Sequence, residues 1–200
     1  MKKQQILYIN GWDSRENYKD FIDYLNKLEY DPYKEKFKFW RHTFVKDLWE
    51  NYSIINPSMP NKNFASYFEW KIMFEKTFQY LEDEIILLWH SMWATFLSKY
   101  IDENDFPVKI KKIILIAWAF KDIPWDVIWD FNFNKKLLNF KEYEHKIIFY
   151  HSLDDNIVPY SHIEDFRKVF PNSEYNIFED RWHFIDETFP ELIERIKLIK

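Results

Sequence analysis

The run Glu84-Ile85-Ile86-Leu87-Leu88-Trp89-His90-Ser91-Met92-Trp93-Ala94 decides the fold. Its first five residues are nearly all apolar, as a strand covered on both faces requires. From Met92 to Ile101 the apolar spacing becomes helical. Strand and helix are joined by Trp89-His90-Ser91, which leaves room only for a sharp turn with the serine near its apex.

The same alternation extends outward in both directions. Strands are expected over Gln5–Asn10, Tyr52–Asn56, Glu84–Leu88, Lys112–Ala117, Lys146–Tyr150 and Glu174–Phe178. Helical spacing covers Glu16–Leu28, Lys34–Leu48, Ala65–Leu81, Met92–Ile101, Ser161–Val169 and Glu187–Ile199. Strands that alternate with helices imply a mainly parallel sheet with helices on both faces. The expected fold is therefore α/β, a three-layer sandwich of about six mainly parallel strands. Residues 1–200 read as a single domain, with the aromatic, irregular stretch Phe120–Asn139 as a short lid over a pocket.

Composition narrows the function. Net charge is −5, with basic and acidic residues interspersed, so neither a nucleic-acid nor an anionic-membrane partner is expected. Cysteine is absent, which excludes disulfides, thiolate metal sites and a cysteine nucleophile. His42, His145, His151 and His162 show no paired-ligand spacing, so no metal is expected. The loop at Gly11 lacks the glycine patterns of nucleotide sites, and no cofactor is expected. The basic start followed by the short run Ile6–Ile9 reads as a first strand rather than a signal peptide, and no stretch is long enough to span a bilayer. A soluble, cytoplasmic protein is the expectation.

One count is anomalous. The chain has one glycine, Gly11, and ten tryptophans, whereas about 14 glycines would be usual for this length. A strand, a turn with a central serine and a helix form the context of a nucleophile elbow, G-x-S-x-G, in which small residues let strand and helix approach. Both glycine positions here, 89 and 93, are tryptophan. Taken literally, two indoles would fill space that the neighbouring backbones need, and such a chain is expected to fold poorly and turn over little substrate.

The chain resembles the α/β-hydrolase superfamily over nearly its full length, and within it the small serine hydrolases of the retinoblastoma-binding-protein-9 type. The resemblance rests on Ile9-Asn10-Gly11-Trp12, on Asn56-Pro57-Ser58-Met59-Pro60-Asn61, on Tyr67-Phe68-Glu69-Trp70-Lys71 and on the elbow itself. It continues in Tyr150-His151-Ser152-Leu153-Asp154-Asp155-Asn156-Ile157-Val158-Pro159 and in Glu179-Asp180-Arg181-Trp182-His183-Phe184.

The resemblance implies a serine hydrolase acting on a small-molecule acyl substrate, a carboxylic ester, thioester or amide. Ser91 would be the nucleophile and His183 the general base, in the chain order Ser…Asp…His of this fold. Asp155 would orient the histidine; Asp154 is its neighbour and competitor, and the family position favours Asp155. The backbone N–H of Met92 and that of Trp12, preferred over Gly11, would form the oxyanion hole. His90 is expected to be structural, and Asp180 to cap or solvate its loop. The alternative is a catalytically inactive member of the fold that binds a protein partner.

The resemblance also implies glycine at Trp89, Trp93 and Trp182, at Trp12 and Trp49, and further at Trp118, Trp125 and Trp129. Trp40 and Trp70 sit in helical patterns where tryptophan looks genuine. A gene that uses UGA for glycine, translated with UGA as tryptophan, would produce this pattern.

Overall fold

The computed structural model describes residues 2–9, 15, 17–29, 31, 39–122 and 129–199. Its elements run β1 (Gln4–Ile9), α1 (Tyr18–Lys27), α2 (Trp40–Leu48), β2 (Tyr52–Ile55), α3 (Tyr67–Lys76), β3 (Glu84–His90), α4 (Met92–Glu103), β4 (Lys109–Ile116), β5 (Ile147–Ser152), α5 (Ser161–Val169), β6 (Glu174–Phe178) and α6 (Pro190–Lys197). The six strands form one sheet in the order β2-β1-β3-β4-β5-β6, and every pairing is parallel.

Alternation along the strands builds two apolar layers. Leu7, Leu87, Ile113 and Ile147 form one transverse row, and Ile9, Trp89, Leu115 and Phe149 the next. Both rows face the layer that holds Trp70 and Phe74 of α3, Phe96 of α4 and Phe166 of α5. Their sequence neighbours Ile6, Tyr8, Ile86, Leu88, Ile114 and Tyr150 face Trp40 and Phe44 of α2 and Leu192 and Ile196 of α6. Each fully buried aliphatic side chain contributes about 1.5–3 kcal/mol. The strands' near-continuous apolar character is therefore the main force that places helices on both faces.

Differences from the sequence reading have local causes. The third strand continues two residues past Leu88 because Trp89 and His90 pair with Leu115 and Ile116. The fourth begins at Lys109, three residues early, where Lys109 and Lys111 pair with Glu84 at 2.8 and 3.2 Å. Its register with β3 shifts between Ile85 and Ile86, which skips Lys111 as a bulge does. The helix expected over Ala65–Leu81 stops at Lys76; the Thr77 hydroxyl donates to the Phe74 carbonyl at 2.6 Å, and a single 3-10 turn follows over Phe78–Tyr80.

Within 120–139, the described residues Phe131, Phe133 and Leu137 are buried. Phe131 packs edge-on against Trp70 and Trp93. No helix among the described residues is long and apolar enough to cross a membrane.

The strand order reverses direction at β1, whose neighbours are β2 and β3. In open α/β sheets, ligands bind beyond the carboxyl ends of the strands at such a switch point. Ser91 follows β3 there, Asp155 follows β5 and His183 follows β6.

Candidate active site

Ser91 sits between the last residue of β3 and the first of α4 with φ 61° and ψ −139°. A left-handed φ on a residue other than glycine costs about 1–3 kcal/mol and persists only when its surroundings hold it. Its N–H donates to the Ile116 carbonyl at 2.7 Å, and its own carbonyl accepts from Ala94 N–H at 3.0 Å. The bend lifts Oγ out of the strand line, where it lies 2.9 Å from His183 Nε2. The other ring nitrogen, Nδ1, lies 2.9 Å from Asp155 Oδ2. Asp155 Oδ1 accepts from the Ile157 and Val158 N–H groups at 2.9 and 2.8 Å. Asp155 and His183 are buried, so little water competes for these contacts.

The structure thus brings Ser91, His183 and Asp155 into one hydrogen-bonded row. Asp154 lies outside it. Its Oδ1 accepts from the Ser152 hydroxyl at 2.5 Å and from the Trp182 N–H at 2.8 Å. Met92 opens α4 immediately behind Ser91, and the first N–H groups of a helix have no acceptor within it. Trp12 and Gly11, named for the second donor, lie outside the described residues. Asp180 is exposed.

The loop that carries His183 is tied at four consecutive residues. Arg181 N–H donates to Ser152 Oγ at 3.0 Å and Trp182 N–H to Asp154. The His183 carbonyl accepts from His90 Nε2 at 3.0 Å, and the Phe184 carbonyl accepts from the Trp40 indole at 2.8 Å. Sequence reasoning missed Trp40, Ser152 and Asp154 as ties. No local pattern marks a contact across 144 residues, such as that between Trp40 and Phe184.

The other histidines have separate tasks. His42 Nδ1 accepts from Phe39 N–H at the start of α2, and His162 Nδ1 accepts from Phe120 N–H, each at 3.0 Å. His145 is exposed. Among the described residues, no cluster of metal-ligating side chains occurs.

The steric expectation for the elbow is corrected. The turn forms with tryptophan on both sides of the serine, and Trp89 and Trp93 are fully buried. Trp93 stacks on Trp70 with ring centroids 3.5 Å apart, and Trp89 stacks on Phe96 at 5.6 Å. Both indoles are accommodated in the aromatic layer between the sheet and α3–α4. Their N–H groups, and that of buried Trp118, find no acceptor among the described residues. Trp40 and Trp70, by contrast, donate to the Phe184 and Pro60 carbonyls, each at 2.8 Å.

Trp182 adopts φ 42°, a region that favours glycine, and its indole donates to Asn156 Oδ1. Trp49 has φ −56° and is exposed, so its backbone makes no demand for glycine. Trp12, Trp125 and the side chain of Trp129 lie outside the described residues.

Comparison with known proteins matches no family model and no curated sequence. Solved structures do match. The ydeN gene product of B. subtilis superposes with a TM-score of 0.70 at 15% identity, covering 98% of this chain and 97% of that one. An esterase from Exiguobacterium antarcticum gives 0.59 at 14%, covering 97% and 90%. A thioesterase domain from the curacin biosynthetic pathway gives 0.62 at 11%, covering 98% and 91%. These likenesses show the fold: a six-stranded parallel sheet flanked by helices, as in α/β hydrolases.

Proposed function

We propose that this protein is a serine hydrolase that cleaves a carboxylic ester, or a thioester or amide, through an acyl-enzyme. The observation that carries the proposal is the row Ser91 Oγ, His183 and Asp155, with both links at 2.9 Å, at the carboxyl end of the sheet. Hydrolase, esterase and thioesterase neighbours on the same fold support the class of reaction. The small serine hydrolases of the retinoblastoma-binding-protein-9 type remain the proposed relatives, a carboxylesterase the proposed activity and the cytoplasm the proposed location.

In this mechanism Ser91 Oγ attacks the acyl carbon as His183 Nε2 takes its proton. Asp155 holds the Nδ1–H tautomer and stabilises the imidazolium. The protonated ring then passes its proton to the leaving group. Water, activated by the same nitrogen, attacks the acyl carbon and releases the acid, which restores Ser91. The Met92 N–H, with that of Trp12, meets the developing oxyanion, and each such donor contributes about 2.7–4 kcal/mol of barrier lowering. A short lid at about 120–139 on a single domain remains part of the proposal, and residues 123–128 of that stretch lie outside the described residues.

The partner-binding alternative drew on the crowded elbow, and the contact between Ser91 and His183 favours the enzyme. The test is hydrolysis of p-nitrophenyl esters of increasing acyl length. Wild type turns over, Ser91→Ala loses about 10⁶-fold in kcat and Asp155→Asn about 10⁴-fold. Equal turnover by wild type and Ser91→Ala would overturn the assignment.

We propose as well that several tryptophans stand where the protein made by its source has glycine, through UGA read as glycine. The indole hydrogen bonds support this. Trp40 and Trp70, the two taken as genuine, have acceptors, whereas Trp89, Trp93 and Trp118 are buried without one among the described residues. An unpaired buried N–H costs about 1–3 kcal/mol. UGA codons at these positions and UGG at 40 and 70 are expected in the gene. UGG throughout would end the proposal.

A further inference from the structure

Three buried histidines, His90, His151 and His162, have no part in the proposed chemistry, and the first two each hold a backbone carbonyl. His90 ends β3 and His151 lies near the end of β5, and both are almost fully enclosed. Burial pushes the His151 imidazole down to about 4 and holds that of His90 well below its ordinary value. His183 and Arg41 face His90, and their charges lower it further, while the His183 carbonyl raises it. Asp155, His183 and the Val158 carbonyl face His151, and His162 of α5 is also within its field.

Among the described residues each ring makes one hydrogen bond, and each bond goes to a backbone carbonyl. His90 Nε2 lies 3.0 Å from the His183 oxygen and His151 Nε2 lies 2.9 Å from the Val158 oxygen. A carbonyl only accepts, so both rings carry their proton on Nε2. Neither Nδ1 has a partner among the described residues. Burying an imidazole for a single bond, with one ring nitrogen left over, is a poor way to fill a core. A leucine would fill the volume with no unpaired atom.

The carbonyls they hold explain the choice. One belongs to His183 itself. The other belongs to Val158, whose N–H donates to Asp155 Oδ1 at 2.8 Å and so leaves Oδ2 turned to His183. We infer that His90 and His151 are positioning residues, one riveting the His183 loop to β3 and the other riveting the Asp155 loop to β5. Together they keep the imidazole within 2.9 Å of Ser91 Oγ. The inference rests on the serine-hydrolase reading of that row.

The test compares full-length wild type with His90→Leu, His90→Gln, His151→Leu and His151→Gln on a short-chain p-nitrophenyl ester. Sites are counted by fluorophosphonate labelling at completion, so kcat is expressed per competent serine. Each Leu variant is expected to lose about 100-fold in kcat, the scale of a 1 Å misplacement, with KM nearly unchanged. Gln can present an N–H to the same carbonyl and is expected to recover most of the loss.

Leu variants with wild-type kcat per site and only a lower Tm would reduce both histidines to core filler and overturn the inference. Equal losses in Leu and Gln would overturn it too. If the Leu variants do not fold, long-range ¹H–¹⁵N spectra of wild type, assigned with the Gln variants, decide. Neutral Nε2–H tautomers at both positions support the rivets, and an Nδ1–H tautomer or a charged ring contradicts them. Wild type that takes no fluorophosphonate label would fail the hydrolase reading instead, a separate outcome.

Discussion

The two faces of the sheet treat their tryptophans differently. On the α2–α6 face, Trp40 spends its N–H on the Phe184 carbonyl and also packs against Tyr8, Phe44 and Phe189. Its backbone N–H donates to Asp186 at 2.7 Å. That side chain fits by shape and by hydrogen bonding at once. On the opposite face, Trp89, Trp93 and Trp118 fit by shape alone, stacked on aromatic neighbours with their N–H groups buried and unpaired among the described residues. Trp70 shows that an indole in the same layer can be satisfied, since it reaches the Pro60 carbonyl. The contrast teaches that stacking makes room for a large ring without making the position suitable for it.

The largest test of that contrast is the triple variant Trp89→Gly, Trp93→Gly, Trp118→Gly. Removing a native buried tryptophan costs about 3–5 kcal/mol, so three such losses would unfold an ordinary domain. We expect the reverse, a higher midpoint in urea and faster ester hydrolysis than the chain with all ten tryptophans gives. Unfolding of the triple variant would break the comparison.

Acid titration is the next test, because burial holds His151 and His162 at about 4 and holds His90, on the Trp40 side, well below its ordinary value. The unfolded chain takes up these protons near 6.5, while the folded one stays unprotonated down to about 4. Stability is therefore intact above pH 6.5 and declines as pH falls towards 4, by up to roughly 3 kcal/mol per histidine. His162→Gln should flatten the fall in Tm over that window; an unchanged slope would count against the burial argument.

Trp40→Phe keeps most of the ring and removes only the N–H, leaving the Phe184 carbonyl unpaired. A loss of about 1–3 kcal/mol is expected, whereas Trp89→Phe should cost less than half as much because no partner is orphaned. Equal costs would erase the difference between the faces. The smallest effect belongs to Trp182→Gly, where relief of the left-handed φ should raise stability by about 1 kcal/mol.

Much of the architecture is legible in the chain because parallel strands covered on both faces read as apolar runs, and Glu174–Phe178 and Ser161–Val169 match to the residue. The row Ser91, Asp155, His183 is legible as an order of motifs, each placed just after a strand. What the sequence hides is long-range and made by backbone atoms. The ties from His90 and Trp40 to adjacent carbonyls span 93 and 144 residues and leave no periodic trace. The crowding at the elbow is misjudged for a related reason: whether an indole clashes depends on Phe96, one turn along α4, and on Trp70 and Phe131, which arrive from two other elements.

The most direct test of the enzyme reading is peptide mapping after reaction with a fluorophosphonate. A single phosphonyl adduct on the peptide that contains Ser91, lost when His183 is replaced by alanine, is the outcome the hydrogen-bonded row requires. A folded protein that takes no adduct, or takes it on another residue, would contradict it.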